Sequence, residues 1–61
     1  MPFTAEEKRK AVDRELAYRR FVYQGRIARG RMTKKQADEQ IAIFEEIRDD
    51  YLEMEKDERL V

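Results

Sequence analysis

The chain contains no cysteine, histidine, serine, asparagine or tryptophan, and it has only two glycines and one proline. The absence of cysteine excludes disulfides, and the absence of both cysteine and histidine removes the usual ligands of a structural zinc site. The common nucleophiles and general bases of enzymes are missing too, and both threonines are placed to cap helices. We therefore expect a protein that is not an enzyme, with no catalytic residue, no metal site and no cofactor.

The chain is also short, at 61 residues. A domain of this size buries only about 60% of the surface of its unfolded chain, so a lone core is marginal. Small folds usually gain support from disulfides, metals or self-association, and the first two are excluded here. We therefore expect a homo-oligomer, most simply a homodimer.

Long hydrophobic runs are absent as well. No apolar run approaches the roughly 20 residues of a membrane span, and no apolar segment of a secretory signal lies near the N-terminus. These absences predict a soluble, cytoplasmic protein without a membrane partner.

The formal net charge is zero, but the charges are divided unevenly along the chain. Residues 1–35 hold 11 lysines and arginines against 4 acidic residues, a balance of +7, whereas residues 36–61 hold 3 against 10, a balance of −7. Such a division is typical of a segment that binds a charged partner, and it also suits two helices that attract each other. We favour the second interpretation.

Two capping patterns predict where helices begin. Thr4 with Glu7, and Thr33 with Gln36, have the spacing of a capping box, in which each side chain accepts from the backbone N–H of the other residue. Gly30 precedes the second box and is suited to end a helix in the left-handed conformation. Because the first helix stops three residues before the next cap, the two helices must be neighbours. The predicted fold is all-α, an antiparallel two-helix hairpin.

We predict one domain over residues 1–61, with a first helix over about 5–29 and a turn at 30–33. The second helix is predicted over about 34–56, and residues 57–61 are predicted to fray.

Gly25 leaves the end of the first helix open. A glycine in a helix interior costs about 1 kcal/mol relative to alanine, which a close helix contact offsets. The alternative is that the first helix ends at Gly25 and residues 26–32 form a longer connection.

The apolar side chains of the first helix point in several directions when residues are placed at 100° intervals. A single partner helix cannot cover them all, which favours self-association into a four-helix bundle. The residues that we assign to the core or the oligomer interface are Val12, Leu16, Tyr18, Phe21, Val22, Tyr23, Ile27, Ile41, Phe44, Ile47, Tyr51 and Met54.

In the second helix, lysines open the helix and acidic residues close it, opposite to the order that the helix dipole favours. An antiparallel hairpin brings the acidic end beside Lys8, Arg9, Lys10 and Arg14, so attraction between the helices explains the order. Arg48 lies within the apolar face, and we expect its guanidinium to reach an acid or an aromatic ring.

A basic cluster surrounds the predicted turn. It is a candidate contact for an anion or a partner, because a helix N-terminus flanked by cations binds phosphates and carboxylates. Nucleic acid and acidic proteins are both candidate partners, although the acidic second helix would be repelled by DNA. The alternative is that the cluster is an ordinary solvated turn that binds no partner. The cluster consists of Arg26, Arg29, Arg31, Lys34 and Lys35.

The run Gly30-x-Met32-Thr33-x-x-Gln36-Ala37, followed by Ile41 and Phe44, resembles the short C-terminal oligomerisation domain, SHOCT. In that family a helix ends at Gly, and an apolar residue and Ser/Thr-x-x-Glu open the next helix. Here Gln replaces the usual Glu, and the second helix is longer than in that domain. The resemblance covers about a third of the chain and implies an oligomerising hairpin.

A larger part of the chain, from Arg14 to Tyr51, is similar to small uncharacterised proteins of bacterial and bacteriophage genomes. This resemblance implies the hairpin and an accessory or inhibitor protein that acts by contact. The shared positions are Glu15-x-x-x-Arg19-x-x-Val22-Tyr23, Gly30-Arg31-Met32-Thr33, Ala37-Asp38, Ile41 and Asp50-Tyr51.

The sequence therefore predicts a small protein-interaction module that oligomerises and acts by binding an unidentified partner protein. The main alternative is a nucleic-acid-binding module that uses the basic cluster. A third class is a regulatory peptide that folds only on its target.

Overall fold

A computed structural model of the chain describes residues 2–60. It contains two α-helices, α1 (Ala5–Ala28) and α2 (Lys34–Arg59), and no strand within the described residues. The helices pack antiparallel along their lengths and form a rod of 48 × 17 × 14 Å. The predicted all-α helical hairpin is confirmed.

Both helices begin at the predicted capping boxes. At the start of α1, Thr4 Oγ1 accepts from the Glu7 backbone N–H at 3.1 Å, and Glu7 Oε1 accepts from the Thr4 N–H at 3.4 Å. At the start of α2, Thr33 Oγ1 accepts from the Gln36 N–H at 3.1 Å, and Gln36 Oε1 accepts from the Thr33 N–H at 3.0 Å. Each N-cap contributes about 1 kcal/mol and sets the point at which its helix begins.

The end of α1 is set by Gly30, whose φ of 71° lies in the left-handed region. This conformation lets the Arg31 N–H donate to the Arg26 carbonyl at 2.9 Å and the Gly30 N–H donate to the Ile27 carbonyl at 3.0 Å. The two bonds form a Schellman motif, which satisfies carbonyls that the helix leaves open. Gly25 lies within the helix, so the alternative in which α1 ends at Gly25 is wrong.

The second helix is longer than the sequence predicts. It continues to Arg59, three residues past the predicted end near residue 56. The Arg59 guanidinium donates to the Glu55 carboxylate at 2.7 Å, one turn earlier, and this contact supports the last turn. The segment predicted to fray is therefore helical up to Arg59, and Val61 lies outside the described residues.

The core of the hairpin is a narrow seam between the helices. Leu16 is only 1% exposed and is the largest fully buried side chain. Ala5, Tyr23 and Ala37 are also buried. The other apolar side chains along the seam are half-buried: Val12, Val22, Ile41, Phe44, Ile47, Tyr51 and Leu52.

Candidate interaction surface

Charged contacts across the seam join the basic start of α1 to the acidic end of α2. Arg9 Nε donates to Glu55 Oε2 at 2.8 Å, and Arg9 Nη1 donates to Asp13 Oδ2 at 2.7 Å. Glu55 is 4% exposed, yet the hydrogen bond from Arg9 holds the pKa of its carboxyl below the usual value against the effect of burial. The predicted attraction between the two helices is confirmed for Arg9.

Further contacts join the two helices at two positions along the hairpin. The Ala5 backbone N–H donates to Glu58 Oε1 at 3.1 Å, and Arg20 Nη2 donates to Glu45 Oε2 at 3.2 Å. Lys10 instead pairs within α1, with its Nζ 3.1 Å from an oxygen of Glu6. The contact between Ala5 and Glu58 requires antiparallel order, because a parallel pair would bring the start of α1 beside the lysines that open α2.

Two arginines at the seam have partners within the hairpin. Arg48 donates to Asp49 Oδ1 at 3.2 and 3.3 Å, which confirms that its guanidinium reaches an acid. The Arg19 guanidinium carbon lies 4.3 Å from the centroid of the Phe44 ring. Arg19 Nη1 also donates to the Tyr23 hydroxyl at 3.0 Å, and this bond raises the pKa of Arg19. Both arginines therefore have partners within their own chain, and Arg19 joins the packing between the helices.

The burial of Glu55 is the feature that sequence reasoning missed, since the sequence analysis considered only its charge near the end of α2. The signal was present in its spacing. Glu55 follows Tyr51 by four residues and Phe44 by eleven, which places all three on the same side of α2. Acids on an apolar face require a partner, and Arg9 is the one that the hairpin supplies.

The most exposed aromatic residues lie on the side of α1 that faces away from α2. Phe21 is 78% exposed and Tyr18 is 64% exposed. At 100° per residue they lie opposite the buried Leu16 and Tyr23. Shallow grooves flank them along the helix, one lined by Ala11 and Arg14 and the other by Gly25 and Arg29 among others. We call this side the outer face of α1; its residues are Glu7, Ala11, Arg14, Tyr18, Phe21, Gly25 and Ala28.

A second apolar surface runs along one side of α2. Ile43 is 49% exposed, Met54 is 52% exposed, and Ile47 between them is half-buried. The acidic side chain of Asp50 interrupts the row and is exposed. We call this surface the side face of α2; its residues are Gln36, Gln40, Ile43, Ile47, Asp50, Met54 and Asp57.

The structure divides the predicted core and interface residues into three groups. Leu16 and Tyr23 are buried between the helices. Those that are half-buried are Val12, Val22, Ile41, Phe44, Ile47 and Tyr51. Those that are exposed are Tyr18, Phe21, Ile27 and Met54. The first two groups line the seam or its margins, as does Ile27 at the end of α1, whereas Tyr18, Phe21 and Met54 leave apolar surface on the outside of the hairpin.

The basic cluster is exposed throughout: Arg26, Arg29, Arg31, Lys34 and Lys35. The Arg26 guanidinium carbon lies 5.8 Å from the Tyr23 ring centroid, and Lys34 Nζ lies 3.0 Å from Asp38 Oδ2. The other three cations form no ion pair within residues 2–60. The structure therefore brings five cations to one end of the rod, of which only Lys34 forms an ion pair within the described residues.

Two kinds of feature are absent from residues 2–60. No helix there is long and apolar enough to cross a membrane. No group of three or more acidic side chains converges there as a metal site requires.

Comparison with known proteins identifies no relative. No family model, curated protein or solved structure matches the chain significantly.

Proposed function

We propose that the chain is a non-enzymatic interaction module of the cytoplasm that self-associates and acts by binding another protein. The smallest closed assembly is a homodimer in which two hairpins form a four-helix bundle. The resemblance to small bacterial and bacteriophage proteins favours an accessory, adaptor or inhibitor role.

The observation that carries this proposal is the exposure of Phe21 and Tyr18 on a folded hairpin. Fully burying a large apolar side chain stabilises a protein by about 1.5–3 kcal/mol. A single hairpin does not gain this free energy from Tyr18 and Phe21, but an interface that covers them does. Exposed apolar surface of this kind on a small domain is typical of a protein interface. The narrow seam strengthens the argument, because Leu16 is its only large side chain that is fully buried within residues 2–60.

Size-exclusion chromatography with light scattering tests self-association through this face. Phe21→Ser should shift the chain toward the monomer mass. The matched control is Leu60→Ser, which removes an equally exposed apolar side chain near the C-terminus, away from both apolar faces. Equal masses for the wild type and both variants would contradict the proposal.

The basic cluster supports a second candidate function, the binding of nucleic acid. Arg29, Arg31 and Lys35 are exposed and have no acidic partner among the described residues. Binding through phosphates should weaken as salt rises, with the logarithm of the binding constant falling linearly with the logarithm of salt concentration. Replacing Arg31 and Lys35 with Gln should make this slope shallower by the equivalent of about two phosphate contacts. Failure to shift DNA or RNA at low salt would remove this candidate.

Acidic proteins are the competing partners for the same cations. Capture of a host protein by the wild type, and its loss with the same pair of Gln substitutions, would favour protein binding over nucleic acid. A captured protein that binds both forms equally would show that the cluster is only a solvated turn.

A further inference from the structure

The outer face of α1 has the spacing of a coiled-coil seam. Its positions alternate four and three residues apart over seven positions, from Glu7 to Ala28. Residues at this spacing form one continuous stripe that a second helix covers along its length. Aromatic residues occupy the centre of the stripe, at Tyr18 and Phe21, and a small residue, Gly25, lies toward its C-terminal end.

The side face of α2 has the same spacing over the same number of positions, from Gln36 to Asp57. Its centre is aliphatic, at Ile43 and Ile47, and its next position is Asp50. Each hairpin therefore carries two such stripes of equal length that its own fold leaves largely exposed, with Gly25 and Ile47 half-buried.

The two seams match when they are aligned antiparallel. Phe21 then lies opposite Ile43 of a second copy, and Tyr18 lies opposite Ile47 of that copy. The next layer places Arg14 opposite Asp50, so that a cation meets a carboxylate where the apolar rows are interrupted. The layer after it places the small Ala11 opposite Met54, which is 52% exposed.

A parallel alignment of the same seams does not match. It would place Phe21 opposite Asp50 and Arg14 opposite Ile43, so each charge would lose water against an apolar side chain. The charge pattern therefore selects the antiparallel direction, in the way that electrostatic complementarity fixes the register of interfaces.

Arg14 and Asp50 are available for this pairing. Both are exposed, and neither forms a hydrogen bond or an ion pair within residues 2–60. Most other charged residues near them have partners in the same chain, as Arg9 has Asp13 and Arg48 has Asp49.

The distribution of charge also favours this contact over one between like helices. Helix α1 holds 7 lysines and arginines against 4 acidic residues, and α2 holds 5 against 10, so unlike helices attract and like helices repel. At the rim, Glu7 faces Asp57, but the Glu7 carboxylate is turned back to the Thr4 N–H.

We infer that the occupant of the outer face of α1 is the side face of α2 of a second copy, packed antiparallel with Arg14 against Asp50. The inference rests on the proposed self-association and specifies which surfaces make it. Because the two surfaces differ, the contact is heterologous, and every copy both offers and receives it. Since the outer face of α1 points away from α2 of its own chain, two copies do not close both contacts on each other, and copies add in a row rather than as a closed four-helix bundle.

This reciprocity allows a charge-swap test by mixing. Arg14→Glu alone places two carboxylates together, and Asp50→Arg alone places two cations together. Each variant should self-associate at least about tenfold more weakly than the wild type. In an equimolar mixture, the new carboxylate of the Arg14→Glu chain meets the new guanidinium of the Asp50→Arg chain. The native Arg14 and Asp50 pair in the alternate contact, so association should recover.

The matched control uses the same charge changes away from both seams. Lys56→Glu and Asp38→Arg are at exposed positions that form ion pairs only within α2, and each should self-associate like the wild type, alone or mixed. Circular dichroism of every variant records that the hairpin is still helical. Failure of the mixture to recover, in variants that remain helical, would overturn the inference.

A second test does not depend on charge. Because the chain has no cysteine, single cysteines can be introduced in separate copies and mixed under mild oxidation. Phe21→Cys with Ile43→Cys should form the mixed disulfide rapidly, whereas Phe21→Cys with Asp50→Cys, the parallel pairing, should not. Faster cross-linking of the second pair would overturn the antiparallel arrangement even if a charge variant fails to fold.

The outcomes separate the inference from the proposal on which it rests. A wild-type chain that stays monomeric contradicts both. A wild-type oligomer that neither the mixture nor the cysteine pair supports contradicts only the assigned surfaces, and self-association through another face then stands.

Discussion

Arg9 Nε donates to Glu55 Oε2 at 2.8 Å and joins the second turn of α1 to the last two turns of α2. Glu55 is almost completely buried, and Arg59 Nη2 donates to its other oxygen at 2.7 Å. A buried carboxylate between two guanidinium groups is satisfied only in the antiparallel hairpin. The pair therefore fixes the direction of the two helices and the length of α2.

Removing this carboxylate should destabilise the hairpin. Glu55→Ala leaves Arg9 with Asp13 alone and removes the contact that supports the last turn at Arg59. We expect a lower melting temperature and a loss of helical signal, measured by circular dichroism. Glu53→Ala is the control, because Glu53 is exposed and pairs only with Lys56 in its own helix. Equal melting temperatures for the two variants would show that the Arg9 contact is not structural.

Acid should weaken the hairpin through the same group. The hydrogen bond from Arg9 lowers the folded-state pKa of Glu55 below its ordinary value of 4.5. A carboxyl with a lowered folded pKa contributes stability above its unfolded pKa and loses it as the pH falls through the folded pKa. The melting temperature of the wild type should therefore fall more steeply below about pH 4.5 than that of Glu55→Gln.

Parallel pH profiles for these two proteins would contradict that assignment. The comparison isolates Glu55 because every other acidic residue is common to both proteins.

Truncation of the seam should be severe. Leu16→Ala removes the largest fully buried side chain, and such changes cost about 2–5 kcal/mol. In so small a domain this is enough to abolish the thermal transition. Ile43→Ala, on the exposed side face of α2, should leave the fold of the hairpin largely intact. A transition that survives Leu16→Ala unchanged would show that the seam is wrongly placed.

The two glycines should respond in opposite directions. Alanine at Gly30 must adopt a positive φ, which costs about 1–2 kcal/mol, so Gly30→Ala should lower the melting temperature. Alanine at Gly25 meets no atom within 4 Å and improves helix propensity by up to about 1 kcal/mol, so Gly25→Ala should raise it. The same sign for both substitutions would contradict the assigned end of α1.

The hairpin could be predicted because its signals are local. Thr4, Thr33 and Gly30 act through backbone groups within one turn, and the structure has all three in the predicted roles. Gly25 could not be decided from sequence, since its cost in a helix is small beside the contacts of the neighbouring Tyr23. The end of α2 depends on Glu55 meeting residues from the other helix, which no local pattern records.

The candidate surface was predictable only in part. Periodicity indicated that Tyr18 and Phe21 lie away from Leu16, and the structure leaves both exposed. Periodicity could not show that Ile41 and Phe44 would be only half-buried, because burial depends on how closely two helices approach. The partner of the exposed residues remains a proposal that rests on charge and spacing.

Sedimentation equilibrium of the wild-type chain at micromolar concentration tests the central claim most directly. The account predicts a mass of at least twice that of one chain, falling toward a single chain for Phe21→Ser. A helical wild-type chain that sediments as one copy would contradict it.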